Sequence, residues 1–157
     1  MKRILIITTL LLLLPVWARS QDGLHSQAVF DGKVVPKDRI VETLVKGEYL
    51  KDYNITLFHS IRMDVDEAEL QRISGLVQED ARDAVSKEME ISHGLLSFAL
   101  LALPPGPDGN RLLGFQSKPS DDGTSTSVII VYLEGETTLT DLKKSIPTNS
   151  KLTLKRL

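Results

Sequence analysis

Between residues 66 and 89 apolar positions keep a helical rhythm longer than anywhere else in the chain. Leu70, Ile73, Val77, Ala81 and Ala84 recur at steps of 3, 4, 4 and 3, which at 3.6 residues per turn puts all five on one stripe. The spacing predicts an amphipathic helix over 66–89. Asp66 caps its first turn while Glu69 reaches back, and the acidic group Asp64, Asp66, Glu67 and Glu69 stands where the helix dipole favours negative charge. Ala81 and Ala84 allow close approach to another layer, and the strand-like segments on both sides make that layer a sheet.

Elsewhere the rhythm shortens to two. In residues 54–63, Ile55, Leu57, Ile61 and Met63 alternate with Thr56, Ser60 and Arg62, so a strand with one core face is expected. His59 falls on the apolar side and Phe58 on the opposite one. Residues 95–103, LLSFALLAL, are apolar on both faces, as in a central strand covered twice, and Pro104 is expected to end it. The turn formers at 104–110 then reverse the chain into RLLGFQSK, and a polar loop at 118–127 returns it into VIIVYLEG at 128–135. Residues 39–46 read as a strand ended by Gly47 or as a helix through Ile40, Leu44 and Tyr49, with the strand preferred. A short helix over TDLKKSI is capped by Thr138 or Thr140 and stopped by Pro147. An apolar cluster at Ala28, Val29 and Phe30 suggests one helical turn or an ordered arm, and residues 147–157 an edge strand or a tail. The sum is an α+β fold: a four- to five-stranded, mainly antiparallel sheet packed against one long and one short helix.

The N-terminus changes the setting. A basic start at Lys2 and Arg3, an apolar run from Ile4 to Leu14, and small residues at Ala18 and Ser20 form a secretory signal pattern, cleaved after Ser20. The run is too short to cross a hydrocarbon core of roughly 30 Å, so no stable membrane insertion is expected once it is removed. Cleavage takes Lys2, Arg3 and Arg19 with it, moving the formal charge from −2 to −5 and leaving residues 21–157 as one domain. Mild acidity gives no reason to expect nucleic acid. With no cysteine, a disulfide framework, a thiol nucleophile and a lipoprotein anchor are excluded. A periplasmic or secreted protein is expected.

Candidate chemistry is sparse. From Asp64 an EF-hand would need an oxygen ligand at its fifth position, Gly at the sixth and Glu at the twelfth, where the chain has Ala68, Glu69 and Gly75; capping accounts for the carboxylates. His25, His59 and His93 are too far apart for a zinc pattern. His59 with Asp64 could activate Ser60 or Ser97, but no spacing selects that set, and no nucleophile-elbow motif occurs. No catalytic residue, cofactor-binding residue or metal ligand is nominated. Phe58, opposite Leu57 and Ile61, requires a covering element or a partner, and Phe58, His59 and Arg62 are the candidate interaction surface.

The segments LKDYNITLFHSIRM, LVQEDARDAVSKEME and VIIVYLEGETTLTDLKK resemble a family of small exported envelope proteins of gut Gram-negative bacteria, classed as a domain of unknown function, over roughly residues 28–146. The resemblance implies an α+β sheet protein with a signal peptide and brings no reaction or cofactor. The expected function is therefore a non-catalytic envelope interaction or binding module, with a protein partner and a homodimer both in view. A periplasmic carrier of a small apolar ligand, walled by Leu95 to Leu103, is the alternative, and a hydrolase ranks below both.

Overall fold

The computed structural model describes residues 23–145; the leader and the segment 147–157 lie outside the described residues. In chain order come α1 (Gln27–Phe30), a 3-10 turn (Lys37–Arg39), β1 (Val41–Lys46), a second 3-10 turn (Glu48–Tyr53), β2 (Ile55–Val65), α2 (Glu67–Arg82), β3 (Ser86–Ser92), β4 (Leu95–Gly106), β5 (Gly109–Pro119), β6 (Thr126–Gly135) and α3 (Leu139–Ser145). The strands form one six-stranded sheet in the order β1-β2-β6-β5-β4-β3, with every neighbouring pair antiparallel. The α+β class holds, with six strands in place of four or five.

Helix α2 carries the chain from β2, next to one edge, to β3 on the other. Its 16 residues rise about 24 Å, against about 19 Å for the four strand spacings it must cross. The length of the helix therefore matches the width of the sheet it covers. Its start is the expected capping box: Asp66 Oδ1 accepts the Glu69 N–H at 2.8 Å, and the Asp66 N–H donates to Glu69 Oε2 at 3.1 Å. Leu70, Ile73, Val77 and Ala81 are buried.

The end of the helix differs from expectation. It stops at Arg82, and Ser86–Ser92 is a strand. Val85 donates to Ala102 O at 2.8 Å, which opens the ladder with β4, and Lys87 Nζ caps the Ala81 carbonyl at 3.1 Å. The hairpin turns on His93 (φ 53°) and Gly94 (φ 79°), two consecutive positive φ values that match the twist of antiparallel strands. Pairing with β4 outweighs the helical propensity of SKEME.

Strand β4 is second from the edge rather than central, yet both its faces are covered. Ala99, Leu101 and Leu103 lie in the core under α2, while Phe98 and Leu100 pack with Leu139 and Leu142 of α3. It continues past Pro104 to Gly106 because an irregularity between Leu103 and Gly106 accommodates two residues that cannot donate to the ladder. The expected loop at 104–110 shrinks to Pro107 and Asp108. Gly109, at φ +112°, is required there: a Cβ would stand 2.7 Å from Gly135 O. Residues 39–46 resolve into β1, the preferred strand reading. Thr138 is the cap of α3, its Oγ1 accepting from Asp141 N at 3.2 Å.

The main core lies between α2 and the sheet, where Ile73, Val77, Ile61, Leu101, Phe115 and Ile130 are each inaccessible to solvent. Val29 and Phe30 of α1 close it.

Candidate interaction surface

The alternation of β2 decides where its side chains go. Leu57, His59, Ile61, Met63 and Val65 are buried, most of them beneath α2 and α1, whereas Phe58, Ser60, Arg62 and Asp64 face the other way and are half-buried or exposed. Phe58 and Arg62 therefore share a surface, and His59 lies on the opposite one. The His59 ring packs on Phe30 with centroids 4.5 Å apart, and its Nε2 is 2.7 Å from Glu42 Oε1. That hydrogen bond, helped by Lys37, holds the Glu42 carboxyl below the usual range. His59 thus ties β2 to β1 and to α1.

On the surface that carries Phe58, helix α3 covers one end. Leu139 and Leu142 pack with Leu112, Val131 and Leu133, and Phe58 and Ile129 join the same cluster. The other end is an open groove of about 580 Å³. Strand register builds it: Arg62 pairs with Ile129 and Ile129 with Gln116, while Asp64 pairs with Ser127 and Ser127 with Lys118. Ile129 is the apolar floor between the Arg62 and Lys118 cations, and the turn at 120–122 forms a rim. The Ser120 hydroxyl donates to Asp64 Oδ1 at 3.2 Å, fixing that rim to β2. Gln116 is buried, and its Oε1 has no hydrogen-bond partner among the described residues.

The hydroxyls considered for nucleophilic chemistry are placed elsewhere. Ser60 and Asp64 lie across the sheet from His59, and the Ser97 hydroxyl donates to the Glu90 carbonyl at 3.1 Å. His25 stands 3.5 Å from Glu79, and His93 bonds Ser92 in the β3–β4 turn. Among the described residues no three His, Cys, Asp or Glu side chains converge as a metal site, and no helix is long and apolar enough to cross a membrane. The wall expected to hold an apolar ligand, Leu95 to Leu103, packs in part directly against α2 residues, in the same cluster as Ile73 and Val77.

Three buried polar groups escaped the sequence reading. Asp80, on the apolar stripe of α2, accepts from the His25 N–H at 2.6 Å and the Ser26 N–H at 3.0 Å, anchoring the arm that leads into α1. Ser74 accepts from the Leu96 N–H at 3.0 Å, tying α2 to β4. Tyr132 donates to Glu134 and accepts from Arg111 Nε, the latter at 2.9 Å. Burial pushes the Tyr132 hydroxyl far above its ordinary range, so it stays protonated. The available signal was position: Asp80 is seven residues after Ile73, and Arg111 and Glu134 continue the inward rows of Leu113 and Tyr132.

No curated protein and no solved structure matches the chain. Residues 13–146 match the model of a family described as a family of unknown function, DUF6108, and the chain belongs to that family.

Proposed function

We propose that this DUF6108 member is an exported, non-catalytic interaction module that binds a protein partner through the sheet face bearing Phe58 and Arg62. The observation that carries the reading is the incomplete cover of that face. Helix α3 shields the apolar end, while the opposite end keeps an apolar floor at Ile129 flanked by Arg62 and Lys118 and rimmed by Asp64, Asp121 and Asp122, with the unpaired Oε1 of a buried glutamine. A buried acceptor without a donor is costly, and a partner's N–H or O–H relieves it. The leader pattern at 1–20 supports reading the module as periplasmic or secreted.

The test is site-specific photo-crosslinking in the cell that makes the protein. A photoreactive side chain at Ser60, in the face, is compared with one at Gln71, on the exposed side of α2. A discrete protein adduct is expected from Ser60 and not from Gln71. Arg62→Glu should lower it roughly tenfold while changing stability by less than about 0.5 kcal/mol, as for an exposed side chain. Equal adducts from both positions, or indifference to Arg62→Glu, would sink the reading.

A further inference from the structure

The two edges of the sheet are unequal. On β3 the exposed Lys87, Glu88 and Glu90 and an irregularity at Glu90/Ile91 discourage pairing with another chain. Strand β1 also carries exposed charges, Glu42 and Lys46, but its ladder with β2 runs without a register shift, and beside those charges Val41 is 70% and Leu44 53% exposed. The direction of its free backbone groups follows from one hydrogen bond. The Gly47 N–H donates to Thr56 O on the β2 side at 3.4 Å. Backbone groups alternate sides along an antiparallel strand, so Val41, Thr43 and Val45 also point to β2, and Glu42, Leu44 and Lys46 point outward. No strand among the described residues occupies that outer side.

Resting on the interaction-module reading, we propose that β1 pairs antiparallel with β1 of a second copy of this chain, about a two-fold axis at Leu44. Charge selects the register. Only residues whose backbone points outward can pair, so the choice lies among a few centres. An axis at Glu42 or Lys46 sets like charges against each other, and one at Val45 brings Glu42 opposite Glu48 of the second copy. An axis at Thr43 leaves Glu42 opposite Leu44. The Leu44 centre alone places Glu42 opposite Lys46, twice by symmetry, with Leu44 meeting its own counterpart. Roughly six backbone hydrogen bonds form. Glu42 is already oriented by His59 and Lys37, and Lys46 is exposed.

The consequence is a continuous twelve-stranded sheet. An axis through paired strands stands perpendicular to the sheet, so both copies present the same face to the same side. Val41 pairs with Arg62 and lies on that face, which brings the two Phe58–Arg62 surfaces together as one bivalent platform.

Sedimentation equilibrium of the leaderless chain from about 1 μM to about 1 mM tests this, since a single strand pair is smaller than a standard interface and should give a micromolar dimer. Lys46→Glu and Glu42→Lys, each alone, should weaken dimerisation roughly tenfold or more, and an equimolar mixture of the two variants should restore it, because every facing pair then carries opposite charges. Should Glu42→Lys disturb the contact with His59, Leu44→Pro replaces it. The outward N–H of Leu44 serves no bond to β2, so proline there keeps the fold by circular dichroism and removes the dimer. A monomer throughout the range overturns the inference, as does a dimer indifferent to Lys46→Glu and Leu44→Pro. A dimer that appears only after deletion of residues 146–157 also overturns it, by assigning the edge to the chain's own end. None of these results touches the Ser60 crosslink, so the function reading stands or falls separately.

Discussion

The two faces of the sheet are built from the same strands and have opposite characters. Under α2, adjacent strands present Ile61, Ile130, Phe115 and Ala99 in one dry row. The polar groups admitted there include Asp80, Ser74 and Tyr132, which have hydrogen-bond partners, and Ser26 Oγ and Arg111 Nη2, which have none among the described residues. One residue along each strand, the other face presents Arg62, Ile129, Gln116 and Phe98, covered at one end by a seven-residue helix. A helix as long as the sheet is wide closes the first face; a short one leaves the second face half open. On the proposed reading the pleat separates stability from recognition, and within each strand a substitution's effect should alternate from one residue to the next.

Neighbouring isoleucines of β6 give the largest expected contrast. Ile130 is inaccessible beneath α2, whereas Ile129 is only partly buried on the groove floor. Ile130→Ala should cost about 3–4 kcal/mol and Ile129→Ala about 1 kcal/mol, measured by urea unfolding of each variant. Equal losses would break the comparison, because the second face would then be as tightly packed as the first.

Asp80 sharpens it from the polar side. The Asp80→Ala change leaves the N–H groups of His25 and Ser26 without their acceptor, an expected loss of about 2–3 kcal/mol. Asp80→Asn keeps one carbonyl oxygen and should fall between that variant and the native chain. Hydrogen exchange at His25 and Ser26 should quicken in both. If exchange quickens with no loss of global stability, the arm is an appendage and the α2 face closes without it.

Residues that meet the core were legible before the structure, and residues defined by pairing were not. The stripe of α2, its capping box and the inward row of β2 from Leu57 onward followed from spacing, because burial imposes a period on the sequence. Ile55, expected in that row, lies beyond a register shift and packs with Phe58 on the other face. Strand β3 did not: in Ser86–Ser92 only Met89 is even partly buried, so backbone pairing with β4 defines it and leaves no apolar alternation to read. Strand β1 has the same character, which is why residues 39–46 admitted two readings. The surface was half legible. Phe58 and Arg62 share it by the period of β2, but Gln116 and Lys118 join them only because β6 lies between β2 and β5, an order no local pattern encodes. Asp80 was visible as a charge on an apolar stripe, though its partners, more than fifty residues away, were not.

The smallest expected effect concerns the rim of the α2 face, where an ion pair joins the exposed 3-10 turn to the helix. Arg39 donates to both carboxylate oxygens of Glu69, at 2.7 and 3.1 Å. That hydrogen bond above all, followed by the Asp66 N–H, lowers the Glu69 pKa. A carboxyl whose folded pKa lies below its unfolded value of about 4.3 contributes stability that is fully present above that value. The contribution fades as pH falls through the folded pKa, so stability should decline in this acid window. Glu69→Gln keeps an acceptor for Arg39 and for the capping box but removes the titration. It should flatten the acid limb of stability against pH by less than about 1 kcal/mol, as expected for a pair near the surface. Glu42, lowered chiefly by its hydrogen bond to His59, and Asp122 and Asp141, lowered by hydrogen bonds from Thr124 and Thr138, still contribute to the slope in that variant. An unchanged acid limb in Glu69→Gln would mean that the rim adds nothing to the closure of the first face, and that packing beneath α2 accounts for all of the asymmetry between the two.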